Sequence, residues 1–291
     1  MVFDQMVFEI LQFGFMQRAL ISGIAVAVSC SVIGLFLVLR KQSLYGDALS
    51  HVAFGGIAIG LFTNVYPIWT AFAVSILASL GITKLKESTK IPGDSAVAVL
   101  LSAGLATGVV LIGLSGGFSL DLYSFLFGSI LLINYNDQLM IVILTFVILV
   151  VMYNMSRKFI YIAFDEEQAK VSGIDVAKLN YLFIVLASVT VITSVRLVGV
   201  LLISSLIVIP NITAMMFGKG FKKTLLISIF IAVLSVVVGI VISYIMNLAP
   251  GGTIVIISVG VFLAVISIKY SLRIIKGEKE RQRKQVSTIN R

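Results

Sequence analysis

The chemistry-bearing residues of this chain are few, and the two best placed to act together are Asp47 and His51, in the stretch Tyr45-Gly46-Asp47-Ala48-Leu49-Ser50-His51. Side chains four residues apart on a helix stand on one face, one turn above the other, so this carboxylate and imidazole can meet. His51 is the only histidine of the 291 residues. One hard oxygen beside one borderline nitrogen suits Zn2+ and is acceptable to Mn2+. Two ligands do not close a four-coordinate shell, but a homodimer with this helix near its two-fold axis brings two of each. The competing reading is structural: Asp47 pairs with Arg40 or Lys41, and His51 is a packed, satisfied side chain. Spacing alone leaves both open.

A second polar group of interest is Asp165-Glu166-Glu167-Gln168-Ala169-Lys170-Val171-Ser172-Gly173. Asp165 and Gln168 fit a helix-starting capping box, and Gly173 fits a C-terminal stop. The spacing predicts a short helix lying along the membrane surface, its acidic side chains available to a partner protein or merely solvated.

The elements that must position these residues follow from composition. Hydrophobic residues make up 59% of the chain and charged ones only 12%, about half the charged share of an ordinary soluble domain. An apolar helix needs roughly 20 residues to cross a bilayer. The runs 15–39, 47–63, 67–85, 95–114, 138–155, 179–195, 197–217, 224–246 and 253–270 have that character. They predict an all-α, polytopic transmembrane bundle of about nine spans, filling residues 1–275, followed by a charged, disordered tail at 276–291. The shorter piece 120–133 reads as a re-entrant or interfacial segment. The first dozen residues, with Phe3, Val7, Phe8, Ile10 and Leu11 beside Asp4, Gln5 and Glu9, suggest a surface-lying amphipathic helix.

The net charge of +9 comes from Lys and Arg at the ends of apolar runs, a distribution that sets topology and argues against nucleic-acid binding. Basic breaks at 40–41, 84–90, 157–178 and 219–223, together with the basic tail, are placed in the cytoplasm. The N-terminus is then outside and the C-terminus inside, with Arg18 and Arg196 as exceptions on the outer side. Gly55, Gly56 and Gly60, and Gly104 with Gly108, read as close-packing positions. Ser204-Ser205 and Pro210-Asn211-Ile212-Thr213 read either as a polar pathway lining or as a plain kink. Leu114-Ser115-Gly116-Gly117 has the core of an ABC ATPase signature, but the chain contains no phosphate-binding loop, so ATP hydrolysis is not its own activity.

Together these residues resemble the permease subunits of bacterial ABC importers for zinc and manganese. The likeness rests on Gly46-Asp47-x-x-x-His51 directly after Val38-Leu39-Arg40, on Leu126-Phe127-Gly128-Ser129-Ile130, on Phe164-Asp165-Glu166 through Gly173, and on Val198-Gly199-Val200-Leu201-Leu202 leading to Ile209-Pro210-Asn211-Ile212-Thr213-Ala214. Asn211 and Ile212 stand where that family usually has alanine. The resemblance implies a plasma-membrane homodimer working with two cytoplasmic ATP-binding subunits and an extracellular metal-binding lipoprotein. It makes Asp47 and His51 the metal site, and Asp165, Glu166, Glu167, Gln168 and Gly173 the loop that meets the ATPase. No permanent cofactor is implied: Zn2+ or Mn2+ is cargo, with zinc favoured by nitrogen ligation. The alternative is a proton-coupled secondary transporter of a divalent metal, with the same two residues as relay.

Overall fold

A computed structural model describes residues 12–89, 92–117 and 120–289. The helices are α1 (Gly14–Leu39), α2 (Tyr45–Thr63), α3 (Pro67–Thr89), α4 (Gly93–Leu114), α5 (Leu120–Phe127), α6 (Tyr135–Phe164), α7 (Glu166–Val171), α8 (Val176–Val198), α9 (Ile203–Met215), α10 (Phe221–Met246) and α11 (Pro250–Ile289). The described residues contain no strand. The amphipathic helix expected at the N-terminus falls on residues 1–11, outside the described residues.

Eight of these helices are long and apolar enough to cross a membrane, as the length of the apolar runs requires. α1 is the central one: it packs against α2, α6, α8, α9 and α10. Its last turns are buried all round, from Ser29 to Leu37. α2 lies between α1 and the outer pair α3 and α4.

Contacts between helix ends fix their relative directions. Arg40, just past α1, donates to Asn180 at the start of α8, and Phe36 packs on Phe221 at the start of α10. At the opposite end of the bundle Arg18 donates to the carbonyl of Ile133 before α6, Phe15 packs on Tyr244 near the end of α10, and Arg196 at the end of α8 donates to Tyr66. The two basic-free breaks after α2 and α10 each turn on an asparagine in the left-handed region, Asn64 and Asn247, a common helix stop.

Three expectations need correction. The run 197–217 is not one helix. α8 stops at Gly199, whose φ is +82°, and α9 has only 13 residues, too few for a full span. The break is held from a distance: Val200 and Leu201 donate to the carbonyls of Phe125 and Leu126, and Ser129 donates to that of Arg196. A Cβ on Gly128 would strike the Leu197 carbonyl, one on Gly199 the Leu126 carbonyl, and one on Gly251 the Val198 carbonyl. Three chain segments therefore cross backbone on backbone, each crossing requiring a glycine. Non-helical backbone of this kind is tolerated in a membrane protein where protein, not lipid, surrounds it.

Secondly, α6 does not end near residue 155 but continues through Arg157 and Lys158 to Phe164. Long basic side chains can extend to the interface while the helix runs on. Thirdly, the segment 276–289, expected to be disordered, is helical and continuous with α11. Its Lys, Glu, Arg and Gln content has good helix propensity.

Candidate functional site

The chain leaves α1 through Arg40 and Lys41, the latter at φ +57°, and enters α2 at Tyr45. Asp47 and His51 sit on the first turns of α2. His51 Nε2 lies 3.9 Å from Asp47 Oδ1, with the side chains 16% and 33% exposed respectively. That gap is too long for a hydrogen bond. Among the described residues His51 Nδ1 is buried with no hydrogen-bond partner, so that ring nitrogen is not tied down within the described chain. Two ligands at zinc distances from one tetrahedral ion stand about 3.4 Å apart, and a modest side-chain adjustment brings this pair into that range.

The structural alternative for Asp47 fails on geometry. Arg40 turns away to Asn180 at 2.9 Å, and among the described residues the ion-pair partner of Asp47 is His51. Among those residues no third His, Cys, Asp or Glu completes a cluster, so one copy offers two ligands.

What holds His51 in place is α4. A Cβ on Gly104 would lie 2.6 Å from the Val52 nitrogen and 2.7 Å from the His51 carbonyl group, and one on Gly55 would lie 2.8 Å from the Gly104 carbonyl oxygen. The two helices thus touch through bare backbone at the level of the imidazole. The small residues read from sequence as packing are packing, and they position the site. Gly46, in contrast, has only ordinary contacts at 3.4 Å or more, from Ile207.

α7 forms as its sequence predicts. The Asp165 side chain accepts from the Gln168 amide at 2.9 Å. The reciprocal half of the capping box does not form through the Asp165 amide, which bonds instead to the Tyr161 carbonyl. Gly173 follows the helix at φ +81°. Glu166 pairs with Lys170 at 3.1 Å. Asp165, Glu166, Glu167 and Gln168 are all exposed, as are the apolar Phe164 at 71% and Val171 at 89%. The α7 group and the Asp47–His51 pair are separate surfaces, linked through the end of α6 and the loop after α1.

Asn211 does not line a pathway. It is fully buried, donating to the Ile207 carbonyl and accepting from Ser228 at 2.7 Å, opposite Gly34, which has no room for a side chain. The polar group at the proline kink is an internal brace.

The exceptions to the charge rule, Arg18 and Arg196, are explained by their partners. Arg196 donates to Tyr66 Oη at 2.6 Å, lies over the Phe125 ring at 5.0 Å, and stands 3.9 Å from the carboxylate of buried Asp137. Tyr66 in turn donates to Asp137 at 3.1 Å, and burial raises the pKa of its phenol above the usual value, with the Arg196 charge opposing. The sequence held the signal in two arginines that depart from the expected charge pattern, but not the partners.

With this geometry in hand, comparison with known proteins is specific. The chain matches the ABC 3 transport family over residues 12–269. It is 30% identical over 253 residues to the manganese transport system membrane protein MntC of Listeria innocua, covering 87% of this chain and 90% of that one. It is also 30% identical over 245 residues to the high-affinity zinc uptake system membrane protein ZnuB of Haemophilus influenzae, covering 84% and 94%. Its fold is similar to a chain of the PsaBC complex from Streptococcus pneumoniae solved with Fab, with a TM-score of 0.81, 30% identity, and coverage of 90% and 95%. An all-helical, multi-pass bundle without a phosphate-binding loop, similar over most of its length to metal transport membrane proteins, belongs to the ABC 3 transport family and is a metal-ion permease subunit of an ABC transporter.

Proposed function

We propose that this chain imports a divalent metal ion as a homodimer, the ion passing between the Asp47 and His51 side chains of two copies. The observation that carries the reading is an imidazole whose buried Nδ1 has no partner among the described residues and whose Nε2 lies 3.9 Å from a carboxylate on the same helix face. A second copy related by a two-fold axis supplies the other two ligands. Zn2+ is the favoured cargo because nitrogen ligation ranks it above Mn2+ in the divalent series; relatives carry the names of both metals.

Two ATP-binding subunits dock on α7 from the cytoplasm, seated on the exposed Phe164 and Val171 and the acidic side chains between them. An extracellular metal-binding lipoprotein delivers the ion. Closure of the ATPase pair moves α7, and the metal site changes affinity between two states of the bundle. The chain makes nine passages through the plasma membrane, N-terminus outside and C-terminus inside. α9 and its lead-in are the short one, since α8 ends at the Arg196 end and α10 begins at the Arg40 end.

Uptake of radiolabelled Zn2+ and Mn2+ by cells carrying Asp47→Ala or His51→Ala tests the site. Loss of uptake at unchanged protein level is expected; normal uptake removes the site. Liposomes holding this chain alone should move no metal, and ATP-independent uptake would instead favour proton coupling.

A further inference from the structure

A cavity of 730 Å³ opens at the Arg40 end of the bundle, walled by residues 39–45, the starts of α4 and α8, and the junction of α6 with α7. Arg40 is the unusual group in its wall. Its Nη1 is used on Asn180 and its plane lies 4.7 Å from the Phe183 ring centre. Its Nε and Nη2 are buried with no hydrogen-bond partner among the described residues. Those two N–H groups form one edge of a rigid planar fork, the geometry that grips a carboxylate through two parallel bonds. The ring and the Asn180 amide hold that edge open.

Two carboxylates share the cavity wall, Asp94 and Glu166. Glu166 is the first residue of α7, and its present pairing with Lys170 is half exposed on both sides, an interaction that costs little to exchange. Burial lowers the proton affinity of Arg40, and the charge of Glu166 is what raises it again. The Arg40 backbone in turn leads directly into α2, seven residues before Asp47.

We propose that Arg40 is a positioning residue for transport: in one state of the cycle Glu166 leaves Lys170 and closes onto the free edge of Arg40 across this cavity, so that a shift of α7 pulls on the loop that sets α2. The inference rests on the metal-site reading above. It assigns a transmission link between these two separate surfaces.

The test uses the complete transporter in proteoliposomes, measuring Zn2+ and Mn2+ uptake and ATP hydrolysis together in Arg40→Lys, Glu166→Gln, their double variant, Asp94→Asn and Asp47→Ala. Arg40→Lys keeps the charge but loses the two-bond edge. Arg40→Lys should keep hydrolysing ATP; in it and in Glu166→Gln, which also lies on the ATPase-docking surface and is read only as the ratio, metal moved per ATP should fall about tenfold, and the double variant should fall no further than the worse single one. Losses that multiply, unchanged ratios, or a loss that follows Asp94→Asn in place of Glu166→Gln overturn the proposal. Should Arg40→Lys fail to assemble, the exposed Glu166→Gln still decides, because an unchanged ratio there is sufficient to reject. Normal uptake in Asp47→Ala is a different failure and rejects the metal-site reading itself.

Discussion

Replacing Gly104 by alanine adds one methyl group, and the structure says where it must go. The new carbon would sit 2.6 Å from the Val52 nitrogen, whereas ordinary van der Waals contact begins at 3.4 Å. Both sides of the contact are backbone, so no rotamer change can make room, and α2 and α4 must part by about 0.8 Å. Overpacking of this kind costs about 1–3 kcal/mol. The larger effect is on the site, because the displaced backbone is that of His51 itself. Ligand distances at a metal tolerate shifts of only ~0.2 Å, and misplacement of a functional group by about 1 Å is worth roughly a hundredfold in rate. Initial rates of Zn2+ and Mn2+ uptake should therefore drop between about tenfold and a hundredfold, with the protein still present in the membrane. Gly81→Ala is the matched control: it lies in α3, and a Cβ there meets nothing within 4 Å, so it should transport normally and gain about 0.5–1 kcal/mol in helix stability. Wild-type uptake by Gly104→Ala at wild-type abundance would refute the claim that α4 fixes the imidazole.

Other consequences are equally direct. Arg196→Leu leaves the buried carboxylate of Asp137, 4% exposed, without its counter-charge, and should cost about 3–5 kcal/mol; thermal unfolding in detergent should show partial recovery when Asp137→Leu is added. Asn211→Leu removes two internal hydrogen bonds and leaves Ser228 without its acceptor, lowering stability by about 1–3 kcal/mol in the same assay while the Zn2+ to Mn2+ uptake ratio stays unchanged. Asp165→Ala loses the cap of α7, about 1 kcal/mol, and should weaken co-purification of the ATP-binding subunit without changing the melting temperature of the bundle.

The sequence made some of this legible and not the rest, for physical reasons that differ from residue to residue. Long apolar runs report spans because the bilayer sets a minimum length, and α7 was readable because caps are local chemistry at fixed offsets. Asp47 and His51 stood out because one turn of helix separates them. The break at Gly199 was hidden inside an apolar run, since what stops the helix is a carbonyl from α5, more than 70 residues away in the chain. Arg40 read as a topology charge; that its fork lies buried against Phe183 depends on the folding of α8 beside α1. Asn211 stays open between a pathway lining and a plain kink in the sequence, because polarity in an apolar helix does not say which way the side chain turns.

The backbone crossing at Gly128, Gly199 and Gly251 carries a genetic consequence. Crowding between two side chains can be relieved by trimming either one. Here one side of each contact is already glycine, the smallest residue, and the obstacle on the other is a carbonyl group that every residue possesses. A methyl added at any of the three has no reciprocal change that could make way for it, so revertants of such a variant should restore the original glycine and not arise at a second position.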